Sequence, residues 1–388
     1  MGTKPYAILP FAKGGFFVND RSLLSPVSVL ENSITMEKPL KYSFVIPVFN
    51  RPDEVDELLD SLTRQSLSTF EVVVVEDGSQ VPCHDVCARY VGKLDLHYFS
   101  KSNSGPGQSR NYGVERARGE YVIILDSDVV VPPGYLQAVD DELQRESCEA
   151  FGGPDRAADS FTPTQKAISY SMTSFFTTGG IRGGKKKLDK FYPRSFNMGI
   201  RRDVYQQLGG FSKMRFGEDI DFSIRIFKAG LHCRLFPGAW VYHKRRTDFR
   251  KFWRQVFNSG IARINLYKKY PDSLKLVHLL PMVFTLGVVF LALLFVAGLL
   301  SVLFSLARSE RDMGLYMMTF ALVPLILYSL LILADSARQS HSLKIGMLSV
   351  RAAFTQLMGY GCGFLQAWWR RCVRGQDEFA AYEKNFYK

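Results

Sequence analysis

The chain has 388 residues, enough for one large domain with additional elements, and 49 Lys and Arg against 37 Asp and Glu give a formal net charge of +12. Such a length buries a substantial core, and the basic excess points to an anionic partner: nucleic acid, a phosphorylated substrate or acidic lipid head groups. The six cysteines are scattered without a Cys-x-x-Cys pair, and Cys83, His84 and Cys87 lack a second ligand pair, so reduced thiols facing the cytosol are expected rather than a zinc centre.

The opening stretch "MGTKPYAILPFAKGGFFVND" has no sustained apolar core and no small-residue cleavage site, so it does not read as a secretory leader. Residues 1–41 read as an extension, with no clear periodicity over 1–35. From 42 to 246, strand-like runs alternate with helical patterns, the mark of an α/β sheet. "YSFVIPVFN" (42–50) is the first strand. In "RPDEVDELLDSLTRQ", Pro52, Asp53 and Glu54 make a first helical turn. Val55, Leu58, Leu59 and Leu62 then recur at i, i+3, i+4 and i+7, one face for the sheet. "EVVVVEDGS" (71–79) is apolar over its length and reads as a strand buried on both faces. "LDLHYFS" (94–100) and "YVIILDSD" (121–128) are the third and fourth strands. Between them "GPGQSRNYGVERARG" is a helix stopped by Gly119.

"TTGGIRGGKKKLDKFYPRS" (177–195) is a Gly-rich basic loop, and no Gly-Lys-Ser/Thr follows its glycines, so it is not a P-loop. "RRDVYQQLGGF" is a short helix capped by Asp203 and ended at Gly209. "GEDIDFSIRIFKAG" (217–230) is another, with Ile220, Ile224 and Phe227 on one face and Gly230 as its stop. In 247–272 an apolar stripe (Phe249, Phe252, Trp253, Val256, Phe257, Ile261, Ile264) is flanked by Arg250, Lys251, Arg254, Arg263, Lys268 and Lys269. That pattern suits a helix lying in a membrane interface. Residues 278–307 and 313–334 are apolar and long enough to span a bilayer. A third apolar stretch, 345–369, holds Arg351, Gln356 and Gln366 and ends in "WWRRCVR". A full crossing would bury Arg351 in hydrocarbon and place Arg370, Arg371 and Arg374 outside, at a cost of several kcal/mol. The segment is therefore expected to lie in the interface or re-enter, leaving 370–388 as a cytoplasmic tail.

Asp126 and Asp128 stand at i and i+2, so in an extended strand both point to one face, at the strand end that opens on the ligand crevice of an α/β sheet. Two hard oxygen donors there suit Mg²⁺ or Mn²⁺ sharing its remaining positions with water and substrate phosphates.

Together with "FVIPVFNR", "VVVVEDGS", "GPGQSRNYGV", "FNMGIRRDVYQQLGGF" and "GEDIDFSIR" in this order, the Asp-x-Asp strand resembles family 2 glycosyltransferases over residues 42–245. The resemblance implies a GT-A fold, a mostly parallel Rossmann-like sheet, and a nucleotide-sugar donor, with UDP expected. It implies that Pro47, Phe49 and Asn50 lie in the loop receiving the nucleotide. It also implies that Asp77, with Glu76 beside it, hydrogen-bonds the base; Glu-Asp stands here where Asp-Asp is common, which leaves open which carboxylate does so. Gly105 and Arg110 match the segment near the nucleotide and diphosphate. Asp126 would contact ribose and metal, Asp128 the metal directly, and His243 in "AWVYHKRR" would complete the metal site. In "GED", Asp219 matches the general base, with Glu218 beside it, and single displacement inverts the anomeric configuration.

The expected enzyme is a metal-dependent inverting glycosyltransferase at the cytoplasmic membrane, acting on a hydroxyl of a saccharide or lipid-linked saccharide, with membrane lipids as partners. Lys185 to Lys187 could contact an acceptor diphosphate, but a solvated loop is the favoured explanation. A processive synthase would need more spans and carries Gln-x-x-Arg-Trp, where "FWRQVFNSG" has Gln255 followed by Asn258. A polyprenyl-phosphate sugar transferase needs no base, which "GED" argues against. A non-catalytic nucleotide binder would not need the full set of acids, and nucleic-acid binding fits the charge but not the spans.

Overall fold

The computed structural model describes residues 40–156, 161–179, 191–214 and 216–377; the extension 1–39 and Lys185 to Lys187 lie outside the described residues. Ten strands follow in chain order: β1 (Tyr42–Val48), β2 (Phe70–Asp77), β3 (Asp95–Lys101), β4 (Tyr121–Leu125), β5 (Val129–Val130), β6 (Ala150–Gly152), β7 (Asp155–Arg156), β8 (Asn197–Arg201), β9 (Cys233–Leu235) and β10 (Val241–His243). They form a seven-stranded sheet of order β3-β2-β1-β4-β8-β6-β9 and a three-stranded sheet of order β5-β10-β7. β1 pairs in parallel with β2 and β4, β2 with β3, and the antiparallel β8 then reverses the direction beside β4. The chain order leaves the sheet's middle and returns there, so a crevice opens at the carboxyl ends of β1, β2 and β4.

Helices cover both faces. On one side lie α1 (Pro52–Leu62), α2 (His84–Ala88) and, later in the chain, α4 (Tyr135–Arg145); on the other lie α3 (Pro106–Arg116), α7 (Arg202–Gln207) and α8 (Glu218–Lys228). The four valines of β2 show why a strand with no polar interruption belongs here. Val72 and Val74 join the α1 side of the core, and Val73 and Val75 join the α3 side. Val55, Leu58, Leu59 and Leu62 of α1 are all buried, each worth about 1.5–3 kcal/mol by removal from water.

Three local expectations are corrected. β4 ends at Leu125, so Asp126 and Asp128 stand on the turn between β4 and β5 rather than on one strand face. α3 stops at Arg116, because Ala117 takes extended backbone angles (φ −71°, ψ 141°). Gly119 is needed for close approach instead: a Cβ there would fall 2.6 Å from Ser43 Oγ and 2.7 Å from Ser43 N. The cap position of α7 belongs to Arg201, and Asp203 sits in the first turn, accepting from its neighbour Val204 N–H at 2.7 Å and from Arg201 Nε at 2.7 Å.

Two further helices, α5 (Pro163–Thr173) and α6 (Phe175–Thr178), precede β8, and four long ones close the described chain: α9 (Phe249–Lys269), α10 (Leu280–Phe304), α11 (Arg308–Ser340) and α12 (Leu343–Trp368). α10 and α11 are long and apolar enough to cross a membrane, with only 6% and 11% of their most apolar windows buried. Such exposure of Leu286, Phe290, Leu293, Phe320 and Leu327 would be costly in water and is what lipid requires. The stripe of α9 is covered in part, with Trp253 left exposed. Phe252 and Val256 pack with Ala167, Ile168 and Met172 of α5 and Ala352 of α12, because glycines let α12 come close. α12 itself is one unbroken helix running alongside α9.

Candidate active site

Strand pairing builds the centre. His243 opposes Val129 in the antiparallel β10–β5 pair, so its imidazole stands next to Asp128, and Lys244 N–H donates to Asp128 O at 3.0 Å. The turn after β4 brings Asp126 in from the main sheet. Asp126, Asp128 and His243 each offer a ligating atom, and all three atoms lie within 4.8 Å of one another. His243 Nε2 is 3.2 Å from Asp128 Oδ1, and the imidazole stacks on Phe196 with ring centres 4.6 Å apart. Asp128 Oδ1 is buried without a hydrogen-bond partner among the described residues, whereas Oδ2 meets Arg51 Nη1 at 2.7 Å and Arg246 Nη1 at 3.9 Å. Burial alone would raise the Asp128 carboxyl; His243, Arg51 and Arg246 hold it well below the usual carboxylate range. A buried oxygen left over beside an imidazole and a second carboxylate fits a hard divalent cation such as Mn²⁺ or Mg²⁺.

Arg110 joins this centre to the start of α8. It is almost wholly buried, donating from Nη2 to Asp126 Oδ1 at 2.7 Å and from Nη1 to Glu218 Oε1 at 2.9 Å. Arg110 is thus neither a surface charge nor open to the cleft, but the strut between two acids of the site. Burial pushes the Glu218 carboxyl up to about 7, against the pull of Arg110 and with the help of Asp219. Gly217 precedes the acids with φ +84°, a left-handed turn that lets the helix begin abruptly at Glu218. Asp219 Oδ2 lies 3.3 Å from Arg194 Nη1, and its Oδ1 accepts from Ile220 N–H at 2.8 Å.

The residues matched to nucleotide binding line the carboxyl edge of the sheet. Pro47 is buried in β1, Phe49 just beyond it is 45% exposed, and Asn50 adopts φ +56°. Asn50 Oδ1 accepts from Gln80 N–H at 2.8 Å and Val81 N–H at 3.1 Å, stitching the loop after β1 to the loop after β2. Asp77 accepts from Ser104 N–H and Gly105 N–H, each at 2.9 Å, and from Lys101 Nζ. Glu76 accepts from Cys83 N–H at 2.7 Å and from Ser79 Oγ. Both acids are buried and engaged with the protein's own donors, so they hold the loops that shape this edge.

Sequence reasoning missed Arg51, Arg194 and Arg246. Arg51 follows Asn50 directly and Arg246 lies three residues past His243, so adjacency to matched positions could have flagged both; Arg194 carries no comparable signal. A second cluster, Glu71, Asp95 and His97, sits at the opposite strand ends, where Ser43 and Arg118 already occupy Glu71. All six cysteines are free thiols.

Residues 43–209 match the family model "Glycosyl transferase family 2". The EpsH protein of Bacillus subtilis (strain 168) is 33% identical over 244 residues, 58% of this chain and 67% of EpsH. The uncharacterized glycosyltransferase EpsJ of the same organism is 23% identical over 212 residues, 52% of this chain and 60% of EpsJ, so the chain spans less than two thirds of that relative. Among solved structures, the mannosyltransferase PcManGT from Pyrobaculum calidifontis, in complex with GDP-Man and Mn²⁺, aligns with a TM-score of 0.52 at 15% identity, covering 85% of this chain and 88% of that one. That likeness shows the GT-A fold. With the family model lying over the sheet and EpsH matched along two thirds of its length, the chain belongs to glycosyl transferase family 2.

Proposed function

We propose that this enzyme moves a sugar from a nucleotide-sugar, with UDP as the expected nucleotide, to a hydroxyl of a membrane-associated, lipid-linked saccharide, inverting the anomeric configuration. The observation that carries the reading is the convergence of Asp126, Asp128 and His243 on one side of Arg110 and Glu218 with Asp219 on the other. One side is suited to a cation and a diphosphate, the other to an acceptor. Asp126, Asp128 and His243 would hold Mn²⁺ or Mg²⁺, which when bound neutralises charge developing on the leaving diphosphate.

The chain's own residues do the rest. Phe49 offers an exposed ring at the nucleotide edge, and the loops tied down by Asn50, Glu76 and Asp77 shape its floor. Asp219 takes the acceptor hydroxyl's proton as that oxygen bonds to the anomeric carbon. The sugar–phosphate bond breaks, and its electron pair leaves with the nucleotide diphosphate. Arg194, beside Asp219, orients the carboxylate. His243→Ala is expected to weaken Mn²⁺-dependent nucleotide binding by about tenfold or more while leaving the chain folded, the scale on which changes around a bound metal act. Isothermal titration with UDP and Mn²⁺ measures it, and unchanged affinity would remove His243 from the ion site.

Membrane attachment is supported by α10 and α11, which would cross outward and return with the catalytic domain in the cytoplasm. Support for keeping the C-terminus on that side comes from α12. The Arg351 guanidinium lies 4.5 Å from the Phe249 ring at the start of α9, and Arg371 donates to Asn265 near its end at 2.6 Å. Such attachment of α12 along α9 favours an interfacial position over a crossing. Cys372 is exposed, and is expected to react with an impermeant maleimide from the cytoplasmic side only, with Cys372→Ser as control. Labelling from outside would overturn this topology.

Transfer assayed by nucleotide release, with and without Mn²⁺ and across UDP-, GDP- and dTDP-sugars, tests the reading directly. Absence of release with every donor class, from folded protein in lipid with lipid-linked saccharide acceptors supplied, would defeat it.

A further inference from the structure

Three acids stand in the first turn of α8, and each is held by a different part of the molecule. Glu218 is held by Arg110 of α3, and Asp219 by Arg194 from the segment before β8. Asp221 turns away from the site. It has no exposed surface, yet carries a carboxylate whose two oxygens are fully claimed. Lys269 Nζ donates to Oδ1 at 2.5 Å and Tyr270 Oη donates to the same oxygen at 2.9 Å, both from the end of α9. Arg225 donates to Oδ2 at 3.0 and 3.1 Å and also reaches Leu208 O and Gly210 O at 2.6 Å each. Burial would raise this carboxyl, and Lys269 and Arg225 hold it below its ordinary value, so it is an ionised hub.

The turn before α8 rests on the same helix. A Cβ on Gly217 would stand 3.2 Å from Leu266 and 3.4 Å from Ala262 of α9. α9 in turn is locked to α12: Cβ atoms on Gly260 and Gly363 would fall 2.1 Å from Tyr360 O and 2.0 Å from Phe257 O. α12 meets α10 where a Cβ on Gly361 would lie 2.1 Å from Thr285 Oγ1. Packed, low-compressibility contacts therefore run without a break from the apolar helix α10 to the acids of the site.

We propose that Asp221 is a positioning residue, clasping the start of α8 to the end of α9 so that the seat of Glu218 and Asp219 is set by the C-terminal helices. The helices then do more than anchor the enzyme: they complete its acceptor side. The proposal rests on reading Glu218 and Asp219 as the acceptor-side acids. The donor side, built from β1, β2, β4 and β10, meets α8 through Glu218, Arg110 and Asp126, so it should respond to the clasp less than the acceptor side does.

The test uses the full chain reconstituted in lipid nanodiscs, with transfer kcat, donor KM and UDP affinity measured for each variant. Lys269 has a half-exposed side chain, so Lys269→Met is expected to fold. It should lower kcat about tenfold, since small displacements of a catalytic group are that costly, with donor KM and UDP affinity within about twofold. Lys269→Arg should restore kcat, because it returns charge and donors to Asp221. Asp221→Asn should match the loss, and Asp221→Asn with Lys269→Met should be no worse than the poorer single variant, the signature of one shared interaction. Normal kcat in both single variants would overturn the clasp. So would donor affinity falling in step with kcat and no rescue by Lys269→Arg. Asp219→Asn, run in parallel, separates the two ideas. If it transfers normally while Lys269→Met is impaired and rescued, the base assignment fails and the clasp stands; if Asp219→Asn is dead and Lys269→Met normal, the reverse holds.

Discussion

Asp128→Ala is expected to abolish transfer and the metal-dependent part of nucleotide binding together. The carboxylate faces His243 through Oδ1 and Arg51 through Oδ2, so its loss removes a cation ligand and leaves cationic groups facing one another. Stripping one partner from a buried charge cluster typically costs about 3–5 kcal/mol, and the partial exposure of Arg51 and Arg246 places this site at the lower end. A melting measurement therefore has to accompany the assay. The informative result is a folded Asp128→Ala protein that binds UDP equally weakly with and without Mn²⁺. Asp128→Asn refines it, since the amide keeps the shape and can still accept from Arg51 while losing the charge. Near-normal turnover of Asp128→Ala in the presence of a chelator would sink the assignment.

What the sequence made legible was whatever local chemistry decides. The all-valine interior of β2 can only be satisfied by burial on both faces, and α1 announces itself by Pro52, its acids and a four-residue apolar stripe. The GED start of α8 is visible because an abrupt helix start needs a glycine before it. Three things were not legible. The Asp-x-Asp geometry was misjudged because strand periodicity was extended three residues too far; the strand stops at Leu125, and a turn brings the two aspartates together. The buried placement of Arg110 depends on two acids from distant segments, Asp126 and Glu218, which no local pattern encodes. The stripe of α9 reads as a membrane face because amphipathic helices look alike whether lipid or protein covers them. The glycines of α12, spaced to admit α9, bring protein over Phe252 and Val256 while Trp253 stays exposed, and that partner is invisible until the helices are placed.

Asp219→Asn decides between acceptor classes, and its expected effect is a loss of transfer of about 10²- to 10⁴-fold with UDP affinity nearly unchanged. A sugar hydroxyl is a poor nucleophile at neutral pH and gains from a base within hydrogen-bond reach; a phosphate acceptor is already an anion and gains nothing comparable. The asparagine keeps the size of the side chain and can still accept from Ile220 N–H, so the start of α8 should hold. What it cannot do is take a proton. Glu218→Gln provides the contrast. Glu218 is buried against Arg110, so neutralising it leaves Arg110 and Asp126 as a pair and is expected to disturb the ion side more than proton transfer. Its loss should therefore appear partly in UDP and Mn²⁺ affinity, whereas that of Asp219→Asn should appear in kcat alone. The measurements are transfer rate and UDP dissociation constant for both variants at saturating acceptor. Normal transfer by Asp219→Asn would move the assignment to a polyprenyl-phosphate acceptor. Collapse of UDP binding in the same variant would instead make Asp219 a structural acid, because among the described residues its carboxylate meets Arg194 and its own helix turn, away from the nucleotide edge of the sheet.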